Sequence, residues 1–299
     1  MRPELSRHMK RFCSTLALAL LGVSLGSCSP AAPLAMGPAS GVKTTTNTNY
    51  RTPPVKGAVP RNPDAPFSNQ FGQGAGVTFT RVPVAGPYIA ITFDDGPHAT
   101  FTPRLLDMLR ERNIKATFFV CGNNCELYPN ILRRIVAEGH ELGNHSYNHP
   151  VLAKMSEEQV RSQLSRTHQA VLNATGVNMR LLRPPYGAFT PAQREWALRE
   201  FGYPTILWSV DPLDWKKPGS SVITSRITSQ TTQGGIILAH DIHGQTIDAM
   251  PATLDALLRK GYRFVTVSQL IAMKTQAAPQ NPAAAPAAPG APAQAATAP

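Results

Sequence analysis

Two adjacent aspartates stand where a metal ion could be bound. Asp94 and Asp95 directly follow an apolar run that begins at Tyr88, and Gly96 and Pro97 come next. Two carboxylates in a buried pocket cannot both ionise easily unless a cation compensates their charge. A bound metal ion would do so, but Asp, Gly and Pro are also ordinary turn residues. The segment therefore indicates either a metal site or a turn.

A second segment contains two histidines, His145 and His149, separated by three residues. Residues at this spacing face the same way if the segment is helical, and imidazole nitrogens are common ligands of zinc. The spacing alone is a weak signal, because a motif match needs a structural context. Together with Asp95, the pair would supply two imidazoles and one carboxylate. That set leaves an open coordination position, as catalytic zinc sites require.

Three further clusters contain groups that could act beside such a metal. They would provide an orienting cation, a proton donor with its partner, and an apolar wall. Each cluster alone has an ordinary explanation, as a surface ion pair, core packing or an interior histidine. All three fall at the ends of predicted strands, which favours a common site. The clusters are Arg183-Pro-Pro-Tyr186-Gly187, Asp211-Pro-Leu-Asp214-Trp215 and Leu238-Ala-His240-Asp241.

Strand and helix patterns alternate through residues 82–274. Seven strands are predicted, at 88–93, 116–120, 141–143, 180–183, 205–210, 235–239 and 263–267. Helices are predicted at 103–112, 130–138, 157–173, between Thr190 and Gly202, and near 249–259. This α/β alternation predicts a parallel sheet, and the pattern favours closure into a barrel. The carboxyl ends of parallel strands converge on one face, so the clusters would meet there.

The five segments together resemble the polysaccharide deacetylases of carbohydrate esterase family four, also called the NodB-homology domain. The resemblance covers roughly residues 85–272 and includes the family's motifs in the family's order. It implies a distorted (β/α) barrel, usually with about seven strands. It also implies metal-dependent hydrolysis of the acetyl group of N-acetylated sugars. The motifs are complete, which disfavours a catalytically dead relative.

The resemblance also implies a metal site and a general base. Asp95, His145 and His149 would be the metal ligands, with zinc as the expected ion and Co²⁺ among the alternatives. Asp94 would accept the proton of the attacking water, and Arg183 would pair with Asp94 and keep it ionised.

The resemblance further implies that His240, on the side of the substrate opposite the base, is the acid that protonates the leaving amine. Asp214 would orient His240 and raise its pKa. The backbone N–H of Tyr186 would bind the developing oxyanion, while Trp215 and Leu238 would line the pocket for the acetyl methyl group. His243 is a weaker alternative acid, because His240 directly follows the apolar strand.

Both ends of the chain differ from the predicted catalytic domain at 82–274. Residues 1–27 have a basic start and a short apolar segment, which predicts an export signal. The Leu-Gly-Ser-Cys28 run resembles a bacterial lipobox, which implies a lipid anchor at Cys28; an ordinary signal peptide cut near Ala35 is the alternative. Residues 28–81 predict a flexible tether with an irregular strand at 76–81. Residues 275–299 contain 12 Ala, 6 Pro and no charge, so they predict a disordered tail.

The composition excludes several classes of protein. The apolar run at 12–26 is too short for a comfortable membrane span, which excludes a polytopic membrane protein. The formal net charge of +11 suits anionic surroundings such as cell-wall polymer. The basic residues are scattered, so no nucleic-acid partner is expected. Cys121 and Cys125 lack enough ligands for zinc, and in an exported protein such a close pair could form a small disulfide loop.

Export, tether and motifs together predict a monomeric hydrolase of the cell envelope or periplasm that deacetylates N-acetylglucosamine in peptidoglycan. Chitin oligomers, poly-N-acetylglucosamine and acetylated xylan are the alternative substrates. A glycan-binding lipoprotein without catalytic activity is the alternative from another class. Acetate release distinguishes the enzyme from the binding protein.

Overall fold

The computed structural model describes residues 78–274. The predicted export signal, residues 28–77 of the predicted tether and the predicted tail lie outside the described residues. The strands are β1 (Thr78–Phe79), β2 (Tyr88–Asp94), β3 (Thr117–Val120), β4 (Glu141–Asn144), β5 (Thr205–Ile206), β6 (Ile236–His240) and β7 (Arg263–Phe264). The helices are α1 (Phe101–Glu111), α2 (Gly122–Leu127), α3 (Pro129–Ala137), α4 (Glu157–Thr175), α5 (Pro191–Phe201), α6 (Ser220–Gln230), α7 (Gly244–Arg259) and α8 (Val267–Ala272).

The strands form a distorted parallel barrel. The main sheet has the order β4-β3-β2-β6, β7 pairs with the start of β2, and β1 pairs with β5. Single parallel bridges join Asn144 to Leu182, Leu182 to Thr205, and Val210 to Ile237. Backbone pairing therefore continues from β4 through Leu182 to the β5 segment and from Val210 back to β6. The predicted fold class, a distorted (β/α) barrel, is confirmed.

The central strands are buried on both faces. Ile89, Ile91 and Phe93 of β2 have no exposed surface, and such continuous apolar runs are typical of parallel strands covered by helices. On α1, Leu105 and Leu109 are buried at the spacing of one helical face. Each fully buried leucine contributes about 1.5–3 kcal/mol. This packing fixes the strand ends that carry the site.

Two of the helices predicted from the sequence, α4 and α5, begin at capping boxes. Ser156 at the start of α4 accepts a hydrogen bond from the Gln159 N–H, and the Gln159 side chain accepts one from the Ser156 N–H. Thr190 caps α5 in the same way, and Gly202 ends that helix in a left-handed conformation. Each box satisfies N–H groups that have no partner inside the helix. The predicted starts of both helices are confirmed.

Several element predictions need correction. The predicted strand at 180–183 is reduced to the bridges of Leu182, and the one at 205–210 to β5 and the bridge at Val210. The predicted strand at 263–267 ends at Phe264, because Thr266 caps α8. The sequence pattern also misses α6, whose β-branched residues have low helix propensity. Its buried Ile223 and Ile227 show that tertiary packing stabilises it.

The disulfide loop that Cys121 and Cys125 could form is absent among the described residues. Both thiols are free and buried, and the segment is helical: Cys121 is the N-cap of α2 and Cys125 lies within the helix. Burial raises the pKa of the Cys125 thiol well above its ordinary range. The pair therefore packs as small apolar side chains.

None of the helices within residues 78–274 is both long and apolar enough to cross a membrane.

Candidate active site

The predicted site residues meet at one edge of the barrel. Asp94 is the last residue of β2, His145 directly follows β4, and His240 is the last residue of β6. These strands belong to one parallel sheet. Their carboxyl ends therefore open on the same face, where active sites of such barrels are built.

Asp95, His145 and His149 form a candidate metal site. Each offers one ligand atom, and these atoms lie within 4.8 Å of one another. The Nε2 atoms of both histidines are 3.3 Å from Asp95 Oδ1. That oxygen is buried and has no hydrogen-bond partner among the described residues, although buried polar atoms normally have one. The donor set and the unpartnered oxygen fit a divalent cation.

Hydrogen bonding fixes which nitrogen of His145 faces this site. His145 Nδ1 is 2.6 Å from the backbone carbonyl oxygen of Arg183. A carbonyl only accepts hydrogen bonds, so Nδ1 donates and carries the proton. Nε2 then presents its lone pair towards Asp95. Metal-bound histidines are oriented by this kind of bond.

The electrostatics of the three residues suit metal ligation. Burial raises the pKa of Asp95, but the close contact with His145 and the charges of His240 and His149 outweigh burial and bring the pKa to about 2. Burial and the charge of His145 lower the pKa of His149. At neutral pH, Asp95 is therefore ionised and His149 has a free nitrogen lone pair.

The segment between the two histidines is a loop and not a helix. Ser146 has φ 67° and His149 has φ 60°, both in the left-handed region. The helical explanation of their spacing is therefore wrong. The loop bends at Tyr147 and Asn148 and brings both histidine rings to Asp95, with the ring centroids 5.0 Å apart.

Arg183 positions Asp94. The Arg183 guanidinium is fully buried and donates from Nη1 to Asp94 Oδ1 at 2.7 Å and to Thr92 Oγ1 at 2.6 Å. It also donates to the carbonyl oxygens of Ile206 and Leu207, at 3.3 and 3.0 Å. Burial lowers the pKa of Arg183, and the charge of Asp94 partly offsets that change. Arginine nevertheless stays protonated in proteins. The buried Asp94 carboxylate therefore has a fixed cationic partner.

Asp214 positions His240. Asp214 Oδ1 is 2.8 Å from His240 Nδ1, and Asp214 Oδ2 accepts from the His240 backbone N–H and from Thr246 Oγ1, both at 2.8 Å. Burial lowers the pKa of His240, but the hydrogen bond and charge of Asp214, with the charges of Asp94 and Asp95, raise it to about 9. Burial raises the pKa of Asp214, and its contacts with His240 reverse that change. The pair favours an imidazolium that can donate from Nε2.

The residues predicted to contact substrate have different environments. Tyr186 and Trp215 are 67% and 50% exposed, and the Tyr186 ring packs edge-on against His149 at 4.7 Å. The Tyr186 backbone is left-handed, with φ 60°. Leu238 is buried two residues before His240 on β6, so both side chains leave the same face of the strand. The Tyr186 ring therefore borders the candidate metal site, and Trp215 directly follows Asp214, the partner of His240.

Sequence reasoning gives no role to Asp241, which lies beside the site. Asp241 is fully buried and accepts a hydrogen bond from Thr102 Oγ1. Burial is the main cause that raises the pKa of Asp241 to about 7, and the charges of Asp95 and Asp94 raise it further, while the hydrogen bond from Thr102 lowers it. A Cβ atom on Gly96 would lie 2.4 Å from Asp241 Oδ1. Its position directly after His240, the last residue of β6, was a usable signal in the sequence.

His243 is a poor rival to His240. The two ring centroids are 5.9 Å apart, but Asp214 hydrogen-bonds to His240. Burial lowers the pKa of His243, and the neighbouring charges of His240 and Lys217 lower it further, against the charge of Asp214. The environment therefore favours the neutral form of His243.

This chain is similar in sequence to known proteins. The sequence profile described as polysaccharide deacetylase matches residues 81–206. A peptidoglycan-N-acetylglucosamine deacetylase of Bacillus cereus is 40% identical over 194 residues, which cover 62% of this chain and 70% of that protein. The peptidoglycan-N-acetylglucosamine deacetylase PgdA of Listeria monocytogenes is 43% identical over 188 residues, 63% of this chain and 40% of that protein.

Solved structures agree with these matches. A crystal structure of a peptidoglycan N-acetylglucosamine deacetylase superposes with a TM-score of 0.62 and 38% identity, covering 65% of this chain and 92% of that chain. The resemblance inferred from the five motifs is therefore confirmed. With its motifs gathered at one edge of a distorted barrel, this chain is an enzyme that belongs to the polysaccharide deacetylase family.

Proposed function

We propose that this protein hydrolyses the N-acetyl group of N-acetylglucosamine residues in peptidoglycan and releases acetate. One observation carries the proposal: a candidate metal site, a buried carboxylate and a histidine–aspartate pair share one edge of the barrel. The names of the similar proteins from Bacillus cereus and Listeria monocytogenes support peptidoglycan as the substrate.

Asp95, His145 and His149 would hold the metal ion. Two imidazoles and one carboxylate are a common ligand set of catalytic zinc, so zinc is the proposed ion and Co²⁺ a workable substitute. When bound, such an ion polarises the acetyl carbonyl and lowers the pKa of a water molecule.

Asp94 would be the general base. Its Oδ1 already accepts from Arg183, so Oδ2 is the atom free to take a proton from the attacking water. Asp94 Oδ2 is 3.7 Å from His145 Nε2, which places it beside the metal ligands. Arg183 would keep the carboxylate oriented while the water attacks the acetyl carbon.

His240 would be the general acid. An amine leaves poorly unless its nitrogen is protonated as the C–N bond breaks. His240 Nδ1 is bonded to Asp214, so Nε2 would donate the proton to the leaving nitrogen. The products are acetate and the free amino sugar.

Three further residues would bind the substrate. The backbone N–H of Tyr186 would donate to the carbonyl oxygen as negative charge develops there. Trp215 and Leu238 would contact the acetyl methyl group, and the exposed rings of Tyr186 and Trp215 would contact the sugar.

For the cellular setting, we propose an exported, monomeric lipoprotein anchored at Cys28 in the cell envelope. The basic N-terminal segment and the Leu-Gly-Ser-Cys28 run support this proposal. The segment from residue 28 would then let the enzyme reach a polymer near the membrane.

The test is mass spectrometry of glycans incubated with the zinc-loaded protein. Purified peptidoglycan, chitin oligomers, poly-N-acetylglucosamine and acetylated xylan are compared, each with and without a chelator. Loss of acetyl groups from N-acetylglucosamine of peptidoglycan, abolished by the chelator, is expected. Exclusive activity on another polymer would reassign the substrate. Binding without acetate release would leave a glycan-binding protein.

A further inference from the structure

The loop between the two histidine ligands has an unusual backbone. Ser146 and His149 both adopt left-handed conformations, although both carry a Cβ atom. Such conformations are sparsely populated and persist where the surroundings fix them. The position of the His149 ring therefore depends on the groups that hold this loop.

Side chains accept hydrogen bonds from four consecutive N–H groups of the loop. Asn144 Oδ1 accepts from the Ser146 N–H at 2.9 Å, and Ser146 Oγ accepts from the His149 N–H at 3.1 Å. These two acceptors belong to the loop or to the strand end beside it. The remaining two N–H groups, those of Tyr147 and Asn148, lie between the left-handed residues.

Gln163 accepts from both of these N–H groups. Its Oε1 is 2.8 Å from the Tyr147 nitrogen and 3.2 Å from the Asn148 nitrogen. Its Nε2 donates to Asn148 Oδ1 at 2.8 Å. One side chain thus makes three hydrogen bonds to the two residues directly before His149.

Gln163 belongs to α4, an element that is itself well anchored. Val160, Leu164 and Thr167 of this helix are buried, and the Leu164 carbonyl accepts from Asn144 Nδ2 at 2.9 Å. Gln163 therefore connects the loop to a packed helix. A side chain on a rigid element can hold a ligand more accurately than the loop alone.

Other contacts of the loop act on different groups. The N–H groups of Gly122 and Asn123 at the start of α2 donate to the carbonyl oxygens of Ser146 and Tyr147. The Tyr147 hydroxyl donates to Glu126, and the Arg166 guanidinium lies over the Tyr147 ring. Helix α2 thus holds the loop's carbonyls, and Gln163 holds its N–H groups.

We propose that Gln163 is a positioning residue for the metal site, acting on His149 through the backbone of Tyr147 and Asn148. The proposal rests on the metal site of the proposed function. Residues that orient metal ligands from outside the coordination sphere typically contribute 10–100-fold to metal affinity, as an order of magnitude. We expect a loss of about that size when Gln163 loses its acceptor.

The test measures zinc affinity of the full-length protein by competition with a chromophoric chelator. Gln163→Met keeps the side-chain length and helix propensity but removes all three hydrogen bonds, and should weaken zinc binding about 10–100-fold. Gln163→Glu keeps the acceptor, and a rotated Asn148 amide can donate to it, so affinity should stay within about threefold of wild type. Gln169→Ala is the matched control, because within residues 78–274 the Gln169 side chain hydrogen-bonds only to Asn173 on the same helix.

The Co²⁺-loaded proteins give a second readout. The visible absorption of Co²⁺ reports its ligand geometry, so the Gln163→Met spectrum should differ from those of wild type, Gln163→Glu and Gln169→Ala. If Gln163→Met had the zinc affinity and the Co²⁺ spectrum of the wild type, this inference would be overturned while the proposed metal site would stand. The same would follow if Gln163→Glu did not retain the wild-type affinity and spectrum. Absence of zinc binding in the wild type would overturn the proposed metal site, and this inference with it.

Discussion

Asp94 and His240 are register partners on the adjacent parallel strands β2 and β6. Neighbouring strands lie about 4.8 Å apart, so the proposed base and the proposed acid start from adjacent backbone positions. Each has its own buried partner, Arg183 for Asp94 and Asp214 for His240. The spacing of two opposed proton-transfer groups is therefore set by backbone pairing and not by flexible loops.

The first prediction concerns the base. Asp94→Asn should lower kcat on the acetylated glycan by about 10²–10⁴-fold, because the amide cannot take the proton of the water. Zinc affinity should change little, since Asp94 is not among the proposed ligands. Acetate release and chelator competition measure the two effects. Near-normal turnover would remove Asp94 from the role.

A second prediction concerns pH. His240 donates only as the imidazolium, and its pKa is about 9, so kcat should fall as the pH rises through about 9. Asp214 contributes most to raising this pKa, ahead of the charges of Asp94 and Asp95, so Asp214→Asn should move the alkaline limb towards the ordinary histidine value of about 6.5. The full kcat–pH profile of both proteins tests this. An alkaline limb at the same pH in both would show that another group controls it.

A third prediction concerns the buried ion pair. Arg183→Met leaves the buried Asp94 carboxylate without its cation, which should lower the free energy of unfolding by about 3–5 kcal/mol. Adding Asp94→Asn to that variant should recover much of the loss, because the uncompensated charge is gone. Urea denaturation of both single variants and the double variant gives the coupling. Simple additivity would contradict an energetic link between the pair.

The fourth prediction concerns Gly96, where a Cβ atom would lie 2.4 and 2.6 Å from the two carboxylate oxygens of Asp241. Gly96→Ala should destabilise the protein by about 1–3 kcal/mol through overpacking. Gly244→Ala is the matched control, because a Cβ there meets Phe101 at an ordinary 3.4 Å. Thermal unfolding compares them. Equal melting temperatures would show that Asp241 can move aside.

The positions of the site residues could be predicted because topology determines them. In a parallel barrel, any polar residue at the carboxyl end of a buried strand reaches the same edge, which is why Asp94, His145 and His240 could be placed together. The clusters that contain Arg183 and Asp214 could be found in the same way, and the resemblance supplied their individual roles. Their hydrogen-bond partners then emerged only from the fold.

What sequence reasoning missed depends on long-range contacts. Ser146 and His149 are left-handed without a glycine to signal it, so a loop was mistaken for one face of a helix. Gln163 looks like any polar residue on an exposed helix, and its role appears only when α4 lies against the loop. The spacing of Cys121 and Cys125 suggested a disulfide, but in the fold both are free thiols buried at α2.

Strand β1 determines where a shortened protein can begin. Thr78 and Phe79 pair in parallel with Thr205 and Ile206, and the Leu207 N–H donates to the Phe79 carbonyl. A truncated protein that starts at residue 82 would lack β1, so the backbone N–H and C=O groups of β5 that pair with β1 would be exposed. Uncovered strand edges promote self-association. Expression of the catalytic part alone should therefore retain the residues from Thr78 onward.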